Sequence, residues 1–256
     1  MSYRTIGQKR VYTREQHHNV LEAWADARDE AGAPLALISF DYHTDTLPAF
    51  ADEVSRRYKK QHAELPARDV RDALCADEHA RIDWSDRTAL KDAVMRLSHD
   101  EHIDAAVRAG ILGPAFVVLG CYEPGSVPPW ATVIVPPCPL AHTGAHDAEC
   151  TLAFCNALLE DHVLQPIVAR VEAALGAPID RSDYILDVDL DYFRTARGIA
   201  PTAGAVFDRL IRHARLITVA EEPGCVGMLR LKGESIIASE LLAALYDRIA
   251  AVAADL

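Results

Sequence analysis

Five short apolar runs decide what this chain can fold into: residues 35–40, 115–120, 131–135, 184–186 and 216–220. Each is apolar at consecutive positions, so as a strand it presents hydrophobic side chains to both faces and has to be covered on both. Longer stretches with helical spacing of apolar residues lie between most of them. Strands alternating with helices predict an α/β fold in three layers, with helices on either side of a mostly parallel central sheet. The 256 residues are half hydrophobic, enough for a large core, and carry no internal repeat or low-complexity linker. A single domain over residues 1–256 is expected.

Three of the runs end in acid. After residues 35–40 come Asp41, His43 and Asp45. If the backbone stays extended these three point to one side, because strand side chains alternate with a period of two. The 184–186 run continues into Asp187, Asp189 and Asp191, which would share one face while Val188 and Leu190 take the other. Three aspartates side by side repel and are driven toward protonation unless something positive lies among them. A divalent cation answers both stretches. Asp is also common in turns at strand ends, so each stretch alone reads equally as an acidic turn; the pair together points to a metal site at strand termini, where open α/β sheets keep their crevices. The 216–220 run ends similarly, in Glu221 and Glu222.

The net charge of -12, with no basic stripe against it, argues against nucleic acid or an anionic membrane as partner and leaves cationic substrates welcome. Residues 1–10 hold no apolar signal core and no later stretch is long enough to span a bilayer, so a soluble, cytoplasmic protein is expected. Cys75, Cys121, Cys138, Cys150, Cys155 and Cys225 show no Cys-x-x-Cys spacing and read as reduced thiols rather than a disulfide framework or zinc site. Composition leaves self-association into a homo-oligomer open.

Elsewhere a strand is expected near Val11 and Tyr12, then a helix capped by Thr13 and running toward Arg28. On that helix His17 and His18 would point about 100° apart, so only one of them can face a small site. Residues 48–58 and 89–97 read as helices, and 61–86 as a connecting excursion or lid. A helix over 98–110 would be capped by Ser98 or Asp100 and stopped by Gly110, its acidic start (Asp100, Glu101) either complementing the helix dipole or holding substrate. The loop from 136 to 147 is a connection or a substrate wall. Pro166 is expected to break the helical region 151–175 in two. Further helices are expected near 206–212 and 234–254.

Asp41-Tyr42-His43-Thr44-Asp45 resembles the Asp-x-His-x-Asp signature of the arginase-like ureohydrolases, and Asp187-Val188-Asp189 resembles their Asp-x-Asp signature. Residues 15–18, 100–103 and 221–225 are similar to a divergent branch of that superfamily that includes peptide arginases, which turn arginine side chains of ribosomally made peptides into ornithine. The resemblance implies two manganese ions, with Fe, Co or Zn as chemical alternatives, held by His17, Asp41, His43, Asp45, Asp187 and Asp189, with His18 the alternative to His17. Four carboxylates balance two divalent cations, and a hydroxide shared between the metals would be the nucleophile. It also implies guanidinium recognition by Glu222 or Glu221, and a protonated histidine for the leaving amine: His102 first, His99 and His146 behind it. The chain lacks the Gly-Gly-Asp-His stretch and the Asp-Pro of ordinary arginases, which favours an arginine-containing peptide, or another guanidino compound, over free arginine. Two other classes follow from the same residues: a metal-dependent deacetylase or amidohydrolase of this fold, and a metal-binding protein without turnover.

Overall fold

The computed structural model describes residues 3–62, 64–124, 127–140 and 145–254. Their strands are β1 (Arg4–Ile6), β2 (Lys9–Arg14), β3 (Leu35–Asp41), β4 (Leu112–Leu119), β5 (Ala131–Ile134), β6 (Tyr184–Asp189) and β7 (Leu216–Ala220). They form one seven-stranded sheet in the order β1-β2-β7-β6-β3-β4-β5, antiparallel only where β1 meets β2. The expected three-layer α/β architecture is present.

Alternation along the strands divides the core into two layers. Leu35 and Leu37 of β3, Val117 and Leu119 of β4 and Ile185 of β6 pack toward the helix Leu21–Ala31, through Leu21 and Trp24. Ala36, Ile38, Phe40, Val118, Leu186 and Val188 face the helices Asp161–Leu175, Ala205–His213 and Ala238–Ala254. Every residue of β3 and β6 is buried. With a buried Leu, Ile or Phe side chain worth about 1.5–3 kcal/mol, this central pair is the most firmly held part of the sheet.

Beside it the connections part. From β3 the chain proceeds outward to β4 and β5, whereas β6 leads to β7 on the other side. That divergence opens a crevice beyond the carboxyl ends of β3 and β6.

Several local expectations are revised. Thr13 lies inside β2, its hydroxyl 2.6 Å from the Tyr246 hydroxyl, and the following helix starts only after a 3-10 turn, His17–Val20. Residues 61–86 contain the helix Arg68–Ala80. The 98–110 helix is shorter, His102–Arg108, with no side-chain cap; Gly110 does end the segment, at φ +65°. The break in the 151–175 region falls between the helices Ala148–Ala157 and Asp161–Leu175, and Pro166 sits within the second. A helix over Pro223–Leu229 was not expected. Of the 136–147 loop, residues 141–144 lie outside the described residues. No helix among the described residues is long and apolar enough to cross a membrane.

Candidate metal centre

The β3–β6 register places Ser39 opposite Asp187 and Phe40 opposite Val188, so Asp41 and Asp189 finish their strands side by side. Past those ends the backbone turns instead of staying extended. Asp41 Oδ1 accepts the His43 N–H at 2.7 Å, and Asp45 adopts a left-handed conformation, φ +47°. After Asp189 a 3-10 turn begins, with Asp189 Oδ1 accepting the Asp191 N–H at 3.1 Å. These two turns bring Asp45 and Asp191 back over the strand ends.

His17 closes the cluster from the start of the turn after β2. Its Nδ1 lies 3.0 Å from Asp45 Oδ2, 3.1 Å from Asp189 Oδ2 and 3.4 Å from Asp41 Oδ2. On the other edge of the ring, Nε2–H donates to Asp187 Oδ2 at 2.8 Å. A carboxylate that fixes the remote ring nitrogen makes Nδ1 the free donor atom, as in carboxylate–histidine–metal arrangements. His43 is half-exposed, its Nδ1 3.3 Å from Asp191 Oδ2. The ligand atoms of His17, Asp41 and Asp189 lie within 4.8 Å of one another, and so do those of Asp41, His43 and Asp45.

Asp187 stands one step behind. The registers align Ser39, Asp187 and Thr218 across β3, β6 and β7 on the face toward His17. Ser39 Oγ donates to Asp187 Oδ2 at 2.8 Å and Thr218 Oγ1 to Oδ1 at 2.5 Å, while Trp24 Nε1 donates to Thr218 Oγ1 at 3.1 Å. Both oxygens of Asp187 are therefore engaged by protein. Asp191 stands differently: the strand stops at Asp189, and the 3-10 turn returns the third aspartate of the run to the cluster.

Several buried atoms around this point make no hydrogen bond: His17 Nδ1, Asp41 Oδ2, Asp45 Oδ1 and Asp191 Oδ2. Buried polar atoms are nearly always satisfied, so orphans gathered in one acidic cluster call for a shared partner. Charge says the same. Burial and the neighbouring Asp45 push the Asp41 carboxyl well above its ordinary range; burial and Asp191 do so for Asp189, and burial raises Asp45 to about 7. Against the cost of its own burial, Asp187 holds His17 well above the usual histidine range, with Asp189 and Asp41 adding to it. The Asp191 carboxylate beside it outweighs burial to raise His43 to about 9. Such a set retains protons unless cations replace them. Oxygen and imidazole donors about 3 Å apart suit a small octahedral divalent ion with bonds of about 2.1 Å, so the residues fit the metals the resemblance implies.

The remaining expected site residues are spread around this centre. Of the two adjacent histidines, His17 enters the cluster, while His18 lines a smaller cleft of about 420 Å³ together with Glu222 and His99. Glu222 begins the helix Pro223–Leu229 in a left-handed conformation, φ +34°, its Oε1 accepting the His17 N–H at 3.1 Å and its Oε2 the Cys225 S–H at 3.1 Å. Its carboxylate lies within 4.8 Å of Asp191. Glu221 lines neither this cleft nor the larger one.

Two of the expected residues sit in enclosed settings. His102 is fully buried between His17 and Trp24, with Nδ1–H donating to the His99 carbonyl, and burial together with the His17 charge lowers it well below the histidine range. A neutral, enclosed ring is a poor proton donor to a leaving amine. Glu101 is also fully buried: it accepts the N–H groups of Phe50, Asp52 and Ser98, which makes it a clamp for the helix Ala51–Lys59 and not a substrate contact. Asp100 does line the larger cleft, about 840 Å³, with His43, Asp45, His99 and His146.

Neither a family model nor a curated protein matches the chain. Among solved structures it is similar to the proclavaminate amidino hydrolase from Streptomyces clavuligerus, at 14% identity and a TM-score of 0.48 over 95% of this chain and 64% of that one. The chain thus spans less than two thirds of that enzyme's length.

Proposed function

We propose that this chain, as a single domain, is a binuclear metallohydrolase of the arginase-like superfamily that cleaves guanidino groups, and that its substrate is an arginine side chain within a peptide. The observation that carries the reading is the convergence of Asp41 Oδ2, Asp45 Oδ2 and Asp189 Oδ2 on the buried His17 Nδ1, at 3.0–3.4 Å. In this reading His17, Asp41, His43, Asp45, Asp189 and Asp191 would hold the two ions, with manganese the first candidate and Fe, Co or Zn the alternatives. Two divalent cations there would supply Lewis-acid chemistry that lowers the pKa of water, which an unreactive guanidinium carbon demands of its nucleophile.

The protein's own groups do the rest. Asp187 keeps His17 in one tautomer. Glu222, beside Asp191, accepts the guanidinium N–H groups and orients the carbon toward the centre. His99, exposed and shared by the walls of both clefts, replaces His102 as the donor of a proton to the leaving amine. Water plus guanidinium then gives urea and an amine, ornithine in the case of arginine. Support for a peptide comes from the two clefts that meet at His99, which offer room on both sides of an inserted side chain, and from an acidic surface suited to a cationic residue.

Urea release by the manganese-loaded protein, from free arginine and from an arginine-containing peptide, tests this. Urea from the peptide, abolished by Asp41→Ala and Asp189→Ala, is the expected result. Acetate from an acetylated substrate would identify a deacetylase instead, and stoichiometric metal with neither product would leave a metal-binding protein.

A further inference from the structure

A second cluster lies on the wall of the larger cleft, made of softer atoms. Cys138, His146 and Cys150 place one sulfur or nitrogen each within 4.8 Å of the others. Cys138 follows β5, and Cys150 is buried in the first turn of the helix Ala148–Ala157. The helix is capped by Asp147, whose Oδ1 accepts the Cys150 N–H at 2.8 Å. His146 immediately precedes that cap, at the turn into the helix that brings it beside Cys150.

The imidazole and the thiol backbone are held by neighbouring groups. The His146 ring stacks on Tyr122 at 3.6 Å with 4° between the planes. Tyr122 Oη–H donates to the Cys150 carbonyl at 3.2 Å, and its ring packs on Phe154. The thiols are not joined in a disulfide. Against the cost of burial, hydrogen bonds from Tyr122, the Leu140 backbone and Cys150 lower the Cys138 thiol below its usual range. Against the hydrogen bond from the Asp147 backbone, burial, the Asp147 carboxylate and the Cys138 sulfur hold Cys150 above the usual thiol range.

We propose that Cys138, His146 and Cys150 form a second metal site, of a different chemical class from the aspartate centre: a tetrahedral site for a soft or borderline ion, zinc first, with solvent as fourth ligand. Two thiolates and an imidazole select zinc or Cu(I) over manganese, which prefers oxygen donors. Binding releases the two thiol protons to solvent as the sulfurs coordinate. The ion ties the segment after β5 to the helix Ala148–Ala157 and so fixes the cleft wall that carries His146 and Tyr122. The site stands on its own residues and does not depend on what reaction the aspartate centre performs.

Cobalt(II) titration of the full-length, zinc-free, reduced protein tests the site, because only a thiolate-bound cobalt gives a strong near-ultraviolet charge-transfer band with intense tetrahedral visible bands. These bands are expected in the native chain and in Asp41→Ala, to be lost in Cys138→Ser and in Cys150→Ser, and to shift in His146→Ala, which keeps both thiols. Zinc should abolish them at one equivalent. Circular dichroism checks that each variant is folded, and Cys225→Ser serves as a control that retains the bands. Folded Cys138→Ser with unchanged bands, a native chain without any, or bands lost in Cys225→Ser would overturn the assignment. So would a native protein, isolated without reductant, that is lighter by a pair of hydrogens and carries a Cys138–Cys150 cross-link in its peptide map.

Discussion

The aspartate centre and the thiol cluster are two answers to the problem of holding charge at the same cleft. The first is built on the ends of β3 and β6, strands buried at every residue, and its donors are oxygen and imidazole. Its positions are set by hydrogen-bond registers that extend through Ser39, Asp187 and Thr218 into the core. The second hangs between the end of β5 and a helix start, anchored by the Asp147 cap and by Tyr122. Placement follows chemistry. Hard, repelling carboxylates need a scaffold that holds them together against their own charge, whereas thiols can be gathered by a loop because, until an ion binds, they are nearly neutral.

The contrast breaks most visibly at its strongest point. Asp41→Ala or Asp189→Ala removes a carboxylate of the aspartate centre; at several kcal/mol of transition-state stabilisation this means a loss of urea release of about 10³-fold or more, with cobalt–thiolate bands untouched. Asp191→Ala is expected to behave similarly and to lower the manganese stoichiometry. Asp187→Asn, one step behind His17, should weaken manganese binding by about 10–100-fold without reducing the number of ions bound at saturation. If Asp187→Asn lost an ion and Asp191→Ala did not, the two aspartates would exchange roles. Ser39→Ala removes one hydrogen bond from Asp187 and is expected to cost about 1 kcal/mol, roughly fivefold in manganese affinity by isothermal titration.

The smallest effect is on stability against pH in chelator-stripped protein. Asp45 is raised in the fold to about 7 and His43 to about 9, so the folded state holds protons that the unfolded chain releases earlier. The contribution of Asp45 is present at low pH and fades as pH rises from its ordinary carboxyl value through about 7; that of His43 is present below the ordinary histidine value and fades through about 9. Metal-free protein should therefore lose thermal stability from pH 5 to 9, by about 2–4 °C per kcal/mol, while manganese flattens the slope. A stripped protein that became more stable over that interval would contradict this electrostatic account.

What could be read from the residues alone follows the same division. Runs apolar at consecutive positions locate β3 through β7, and the period-two rule puts Asp187, Asp189 and Asp191 on one face. It could not decide between Asp187 and Asp191, because parity gives the face of a strand but not the residue where the strand stops and a 3-10 turn begins. His17 and His18 were inseparable for a related reason: their turn is neither strand nor regular helix. The helix Arg68–Ala80 escaped notice since its buried residues are Cys75, Glu78 and His79 rather than an apolar stripe. Glu78 is held there by Arg57 and Arg96, contacts between distant residues. Cys138, His146 and Cys150 lack familiar metal-site spacing, and their association is a product of tertiary structure.

Glu222 turns the chain from β7 into the next helix with φ +34°, a conformation that glycine adopts freely and glutamate at a cost on the order of 1–3 kcal/mol. A chain chosen only for durability would place glycine there. Glutamate at that bend makes it a reservoir of tension drawn on the rest of the fold, and engineering toward heat resistance would be tempted to release it. Glu222→Gly would ease that bend yet strip the acceptor from the His17 N–H and the carboxylate from beside Asp191, so that backbone ease and an intact site become opposing demands on a single position.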